Sequence, residues 1–159
     1  MDKLITLLHS NAGYSHEQLA EYLSLSPQEV ANKIKQLEED GVILGYTCVV
    51  NPETLSDERA RAYIEVKVTP ERGGGFDRVG NRIARFDQVS SCMVLAGAYD
   101  LLVVVEGSHI RDIAQFVTEK LSTLDGVIST ATHFHLKSYK EGGIRFASEP
   151  TLERMSVSP

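Results

Sequence analysis

The sequence predicts an α+β protein in two parts: an N-terminal helix-turn-helix domain, then a C-terminal ferredoxin-like βαββαβ domain. Three observations carry this. Two complete helix-start signals lie close together, at Ser15 and Ser26. The second half alternates strand-period and helix-period stretches in the order β-α-β-β-α-β. Its strand segments carry apolar residues on both faces, which a single-layer sheet with helices on one side does not need. The domains are expected at 1–50 and 62–140, with a linker at 51–61 and a tail at 141–159.

In the first half, Leu4, Ile5, Leu7 and Leu8 line one face of a first helix. Ser15-His16-Glu17-Gln18 and Ser26-Pro27-Gln28-Glu29 are capping boxes, in which the serine accepts from an orphan amide and the residue three on reaches back. Pro27 occupies the first helical position, where its missing N–H costs nothing. Leu19, Ala20 and Leu23 line the second helix, and Val30, Ile34 and Leu37 the third. Gly41 supplies a left-handed stop, and Val42-Ile43-Leu44-Gly45-Tyr46 reads as a strand. The tight Ser24-Leu25-Ser26 link makes the helix pair a helix-turn-helix, a common device for placing a helix in the DNA major groove.

Asn51-Pro52-Glu53 opens the polar linker, with a helical turn expected at Glu53 to Leu55. Ala62, Ile64, Val66 and Val68 then alternate with Tyr63, Glu65 and Lys67, the period of a strand with one apolar face. Pro70 and Gly73-Gly74-Gly75 break it. Phe76, Val79, Ile83 and Phe86 recur at helical spacing. Cys92 to Ala96 and Leu101 to Val105 are two apolar strands around Gly97-Ala98-Tyr99-Asp100. Ile110, Ile113, Ala114, Val117 and Leu121 form the inward face of a second helix, and Val127 to Lys137 is the last strand. There Ile128, Thr130, Thr132, Phe134 and Leu136 share one side, and Ala131, His133 and His135 the other. Apolar residues on both faces predict a second copy covering the sheet, a homodimer.

The chain has 159 residues, 42% of them hydrophobic, and a net charge of −6. That charge disfavours generic binding to nucleic acid or anionic membranes. Residues 1–50 hold three lysines against seven carboxylates, a net of −4, where a DNA-binding domain ordinarily carries a basic surface. Cys48 and Cys92 sit in apolar runs and are expected to be buried thiols in a reducing compartment. There is no signal-like segment and no apolar run of the about 20 residues that span a bilayer, so a cytoplasmic protein without membrane partners is expected. His133-Phe134-His135 puts two imidazoles on one strand face, but no cysteine or carboxylate nearby in sequence completes a metal site. Gly73-Gly74-Gly75 lacks the lysine and hydroxyl of a phosphate loop. Neither a nucleophile with its base nor a carboxylate pair marks an active site.

Three stretches resemble the Lrp/AsnC family of feast/famine transcription regulators: Leu37 to Tyr46 is similar to the family's "LEexGVIxGY", Gly97 to Leu102 to its "GxYDyl", and Gly126 to Thr132 to its "GVxxTxT". The likeness covers roughly residues 3–140. It implies a winged-helix-type head binding double-stranded DNA, a ligand-sensing domain often called RAM, and dimers assembling into tetramers or octamers. It further implies an effector, usually an amino acid, held between subunits near the loop joining the two central strands. Carried over by motif, the effector residues are Gly97, Ala98, Tyr99 and Asp100, with Thr130 and Thr132. No other cofactor is implied. The chemistry is compatible: Asp100 suits an ammonium group, while turn amides and threonine hydroxyls suit a carboxylate. The same residues also have plain structural roles open to them, Asp100 as a turn residue and the threonines as strand formers.

Ser26, Gln28, Asn32, Lys33, Lys35 and Gln36 are the candidate DNA-contacting residues. Asn32, Gln28 and Gln36 have the amides that pair with adenine, and the two lysines suit phosphates. Asn32 and Gln36 stand where the family frequently has arginine. Two alternatives follow: a ligand-sensing oligomer with weak or lost DNA binding, and an enzyme resembling the sirohaem decarboxylases, motivated by His133, His135 and Arg145. The expectation is a regulator and not an enzyme.

Overall fold

Three helices form the N-terminal unit of the computed structural model, which describes residues 2–51, 59–70 and 75–146. The chain divides into two compact units, Met1–Val50 and Asn51–Pro159. Helix α1 is Lys3–Ser10, α2 His16–Leu23 and α3 Pro27–Glu39. Both capping boxes form: Ser15 accepts from the Gln18 amide while Gln18 accepts from the Ser15 amide, and Ser26 and Glu29 do the same. Helix α2 stops at Ser24, whose φ of 55° puts a non-glycine residue in the left-handed region. That tight stop lets α3 begin three residues later and fold back over Leu4, Leu19, Ala20 and Val30, the buried core of this unit.

The expected strand at 42–46 does not form. Gly41, at φ 68°, turns the chain, and the Val42 and Ile43 amides both donate to the Leu37 carbonyl, at 2.9 and 3.0 Å. Beyond that, residues 43–50 have no partner strand among the described residues, and a strand exists only through its ladder. Leu44 is consequently 93% exposed, and Cys48 is exposed rather than buried.

Residues 52–58, which include the expected helical turn, lie outside the described residues, as does the tail from 147. Strand β1 is Ala60–Val68, beginning two residues before the expected start. Helix α4 is Asp77–Ile83, β2 Val89–Val94, β3 Leu101–Gly107, α5 Ile110–Phe116 and β4 Val127–Phe134. The sheet order β2-β3-β1-β4, antiparallel throughout, is the ferredoxin-like arrangement. Ala62, Ile64, Val66 and Val68 alternate into a core with Leu101, Val103 and Val105, sealed by Val79, Ile83, Ile113, Phe116 and Leu121.

Several boundaries differ from expectation. Helix α5 gives way at Val117–Leu121 to a π-helical turn, across which Val117 and Leu121 both stay buried. Phe116 is buried instead of Ala114, and Ile110, at the overhanging first turn, is exposed. Phe86 lies past the end of α4 but packs edge-on against Phe116, ring centroids 5.3 Å apart. Strand β4 ends at Phe134, leaving Leu136 95% exposed. The start of the expected tail is ordered: β5 (Lys140–Glu141) and β6 (Ile144–Arg145) form a hairpin around Gly142 and Gly143, both at positive φ as the tightest hairpin turns require. Arg61 anchors it, bonding Glu141 through Nη1 and Glu106 through Nε, each at 3.0 Å. Burial opposes the Arg61 charge, and the two carboxylates outweigh it, holding the guanidinium above its ordinary pKa.

The uncovered sheet face is mixed. The register sets Tyr63, Glu65 and Lys67 beside Leu102 and Val104 on one side and Ala131 and His133 on the other, with Met93 opposite Leu102. Thr130, Thr132 and Phe134 pair with Val66, Ile64 and Ala62, and so share the helix-covered side. Among the described residues no helix is long and apolar enough to cross a membrane.

Candidate functional site

Helix α3 buries Val30 and half-buries Ile34 and Leu37. Its opposite face, at i, i+4, i+7 spacing, is therefore Gln28, Asn32 and Lys35, with Gln36 and Lys33 on the flanks, all exposed. The Gln28 amide donates to Asn32 at 3.2 Å, and that of Gln36 to Asp40 at 2.9 Å. Lys35 lies 3.6 Å from Glu39. These contacts are all exposed and i,i+4, worth a few tenths of a kcal/mol each, so a ligand can replace them at small cost. Ser26 is different. Its hydroxyl accepts from the Glu29 amide at 3.2 Å and donates to the Glu29 carboxylate at 2.7 Å, and its own amide donates to the same carboxylate. It is committed to the cap, which fixes where the helix starts.

Two residues of this surface escaped sequence reasoning. Glu29 sits on the first turn, its carboxyl held below the usual range by the Ser26 hydroxyl and then the Ser26 amide. Its charge opposes a phosphate at that end of the helix. Tyr46 donates its hydroxyl to Glu38 at 2.8 Å, returning the extended segment to the end of α3. Partial burial, then the Glu38 carboxylate, raise its phenol above the ordinary value. The capping pattern reveals Glu29 as a cap residue but gives no sign of its electrostatic role.

In the second unit, residues 96–100 turn the chain between β2 and β3, with Leu95 N–H donating to the Asp100 carbonyl at 2.9 Å. Gly97 and Ala98 are exposed, Tyr99 and Asp100 half-buried. The Asp100 carboxylate accepts from the Val68 amide at 2.9 Å, and the Asp100 amide donates to the Val66 carbonyl. Asp100 thus ties the turn to β1 rather than bonding its own loop. Thr130 faces Val66 from the other side of β1, its hydroxyl 3.2 Å from that of Ser122. The turn and Thr130 therefore reach the same end of the sheet on strands separated by β1, about 10 Å apart across the ladder. Thr132, opposite Ile64, is one ladder step farther from the turn. Nothing in the sequence signals Ser122 as the partner of Thr130, because the turn between them sets the pairing.

The two histidines are engaged separately. His133 Nε2 lies 3.3 Å from Glu65 on the open face, and His135 Nε2 lies 2.9 Å from the Ser138 hydroxyl. Cys92 is half-buried, and burial raises its thiol above the ordinary pKa.

Comparison with known proteins matches both units. Residues 61–144 match the model of the Lrp/AsnC ligand-binding domain, and residues 3–43 that of a winged helix-turn-helix DNA-binding domain. The chain is 41% identical over 158 residues to an HTH-type transcriptional regulator, YugG, of Bacillus subtilis, covering 99% of this chain and 95% of the relative. It is 32% identical to the proline dehydrogenase transcriptional activator of Rhizobium radiobacter, covering 89% and 90% of the two chains. A Neisseria meningitidis transcriptional regulator solved in complex with L-methionine superposes with a TM-score of 0.66 at 25% identity, covering 89% of this chain and 93% of that one. The chain belongs to the Lrp/AsnC family, DNA-binding transcriptional regulators that join a helix-turn-helix to a ligand-binding domain.

Proposed function

We propose that this regulator reads operator DNA with the exposed face of α3, acts as a homodimer or a larger assembly built on it, and responds to an amino acid held at the β2–β3 turn. The observation that carries the DNA reading is the α3 face: Gln28, Asn32, Lys35 and Gln36 point to solvent with only replaceable neighbours. The amides read bases and the lysines hold phosphates. Lys33 and Lys35 are the only cations on the helix, so each head contributes few phosphate contacts and binding needs heads paired in one assembly. A two-fold assembly places its α3 helices in successive major grooves, so the operator is a rough palindrome.

Three features support the effector reading. Gly97 has no positive φ, and a Cβ there would meet nothing within 4 Å, so the turn does not need glycine for its own sake. That leaves room for close approach from outside. The Rhizobium radiobacter relative is a proline dehydrogenase transcriptional activator, and the Neisseria meningitidis neighbour carries L-methionine. Asp100 then offers an ammonium group the carboxylate oxygen not used by Val68.

Selection of sites from random duplexes by the full chain, followed by competition at rising salt, tests the DNA reading. The expected result is a palindromic site whose affinity falls on Lys33→Ala/Lys35→Ala substitution, with a salt slope shallower by about two per head. Failure to select any sequence sinks it. One observation favours a second reading, a ligand-sensing oligomer with weak DNA binding: the head carries net −4, and Glu29 sits at the helix end nearest the groove. A thermal-shift panel of amino acids with no selectable DNA site is its signature.

A further inference from the structure

Glu29 is the acidic residue in the first turn of α3, and its side chain is anchored. The Ser26 amide donates to Oε2 at 2.8 Å, and the Ser26 hydroxyl donates to the same oxygen at 2.7 Å. Neither bond uses Oε1. The residue is exposed, so a carboxylate of fixed position faces solvent at the start of the helix. The Ser26 hydroxyl and then the Ser26 amide also favour its ionised form.

Glu29 borders the face already described. Gln36 lies seven residues on, close to two full turns, so the two side chains leave α3 in nearly the same direction. Asn32 and Lys33, three and four residues on, are its neighbours on the helix surface. A recognition helix of the helix-turn-helix kind presents its N-terminal residues to base edges in the major groove. Glu29 therefore sits where bases are read.

The chemistry of an ionised carboxylate narrows which base it fits, because it only accepts hydrogen bonds. In the major groove guanine presents two acceptors, and thymine an acceptor and a methyl group. Adenine presents an amine beside its own acceptor, N7. Cytosine presents an amine with no acceptor of its own beside it. Anchoring also favours the contact. A free glutamate loses rotamer freedom when it settles on a partner, whereas Ser26 has fixed this one beforehand.

We propose that Glu29 is a specificity-determining residue, whose Oε1 accepts from the N4 amine of one cytosine in each operator half-site. This rests on the DNA reading of α3 and deepens it, adding an acidic base reader to the amides of Gln28, Asn32 and Gln36. The charge that opposes phosphate in this head then serves to discriminate among bases.

Site selection from random duplexes by the full chain, repeated with Glu29→Gln, tests it. Glutamine also completes a capping box, so the variant keeps the start of α3. The parent is expected to select one oriented C·G pair in each half-site that the variant does not select. Glutamine pairs with adenine, so adenine is the expected replacement there. On duplexes changed only at that pair, the preference for cytosine should fall at least about fivefold in the variant, the scale of one lost base contact. Preferences elsewhere in the site hold. Identical base preferences in parent and variant overturn this inference and leave the DNA reading standing. So does a loss of preference spread over every position, which makes Glu29 a cap residue only. Failure of the parent to select any site overturns the DNA reading, and this inference with it.

Discussion

The Asp100 carboxylate accepts a 2.9 Å hydrogen bond from the backbone N–H of Val68, a residue only 2% exposed. The bond joins the β2–β3 turn to the last residue of β1, where the register with β4 shifts between Lys67 and Val68. One side chain thus closes an irregular sheet end, through one of its two carboxylate oxygens.

Asp100→Ala and Asp100→Asn separate this structural role from the proposed effector role. Alanine leaves the Val68 amide without its acceptor, so a loss of about 1–3 kcal/mol in unfolding free energy is expected. Asparagine keeps a carbonyl oxygen at that position and should unfold close to the parent. If Asp100 also holds an ammonium group, the asparagine variant loses the amino-acid-induced rise in melting temperature while its own stability holds. Unchanged amino-acid response in that variant assigns Asp100 to the turn alone.

The N-terminal unit should weaken in acid through its caps. Glu29 is held below its ordinary value of 4.5 by the Ser26 hydroxyl and then the Ser26 amide, and Glu17 is lowered by its own backbone N–H and then by Ser15. A carboxyl depressed in the folded state contributes stability that is complete above the unfolded value and is lost as pH falls through the folded one. Helicity should therefore decline as pH drops below 4.5. Glu29→Gln should flatten part of that dependence, as followed by circular dichroism. Ser26→Ala is expected to cost about 1 kcal/mol near neutral pH.

Local signals made the heads of both units readable. A capping box needs only four adjacent residues, so Ser15 and Ser26 mark α2 and α3 without knowledge of the rest of the chain. Strict alternation did the same for Ala62 to Val68. Failures came where structure depends on a partner. Val42 to Tyr46 has strand composition, but a strand is a property of two chains or two segments, and no described segment pairs with it. The π-helical turn at Val117–Leu121 left no trace in the sequence, because helical wheels assume a constant 3.6-residue turn.

Met93→Glu tests the sheet-to-sheet dimer. Met93 is 41% exposed and lies opposite Leu102 on the uncovered face, so a glutamate there stays solvated in a single copy. In a face-to-face dimer the same carboxylate is taken out of water beside the apolar Leu102, a cost of several kcal/mol. Sedimentation should show dissociation to a folded monomer. Retention of the parent's assembly state means that this face is not the interface.

Gly126→Ala should be the most damaging single-methyl change in the second unit. Gly126 stands at φ 94°, where an L side chain is strained, and an added Cβ would lie 3.0 Å from Val79 Cγ2. Val79 is 3% exposed within the packed core, so it cannot yield by moving into solvent. The Gly126 carbonyl also accepts from the Thr69 amide at 2.8 Å, which fixes the end of β1 against the start of β4. Relieving the clash by rotating the backbone would break that bond and disturb the ladder carrying Thr130. Strain and overpacking together are expected to cost roughly 2–4 kcal/mol. Chemical denaturation checks this, with Gly97→Ala as the comparison: that Cβ enters open space, so its stability should stay within about 0.5 kcal/mol of the parent.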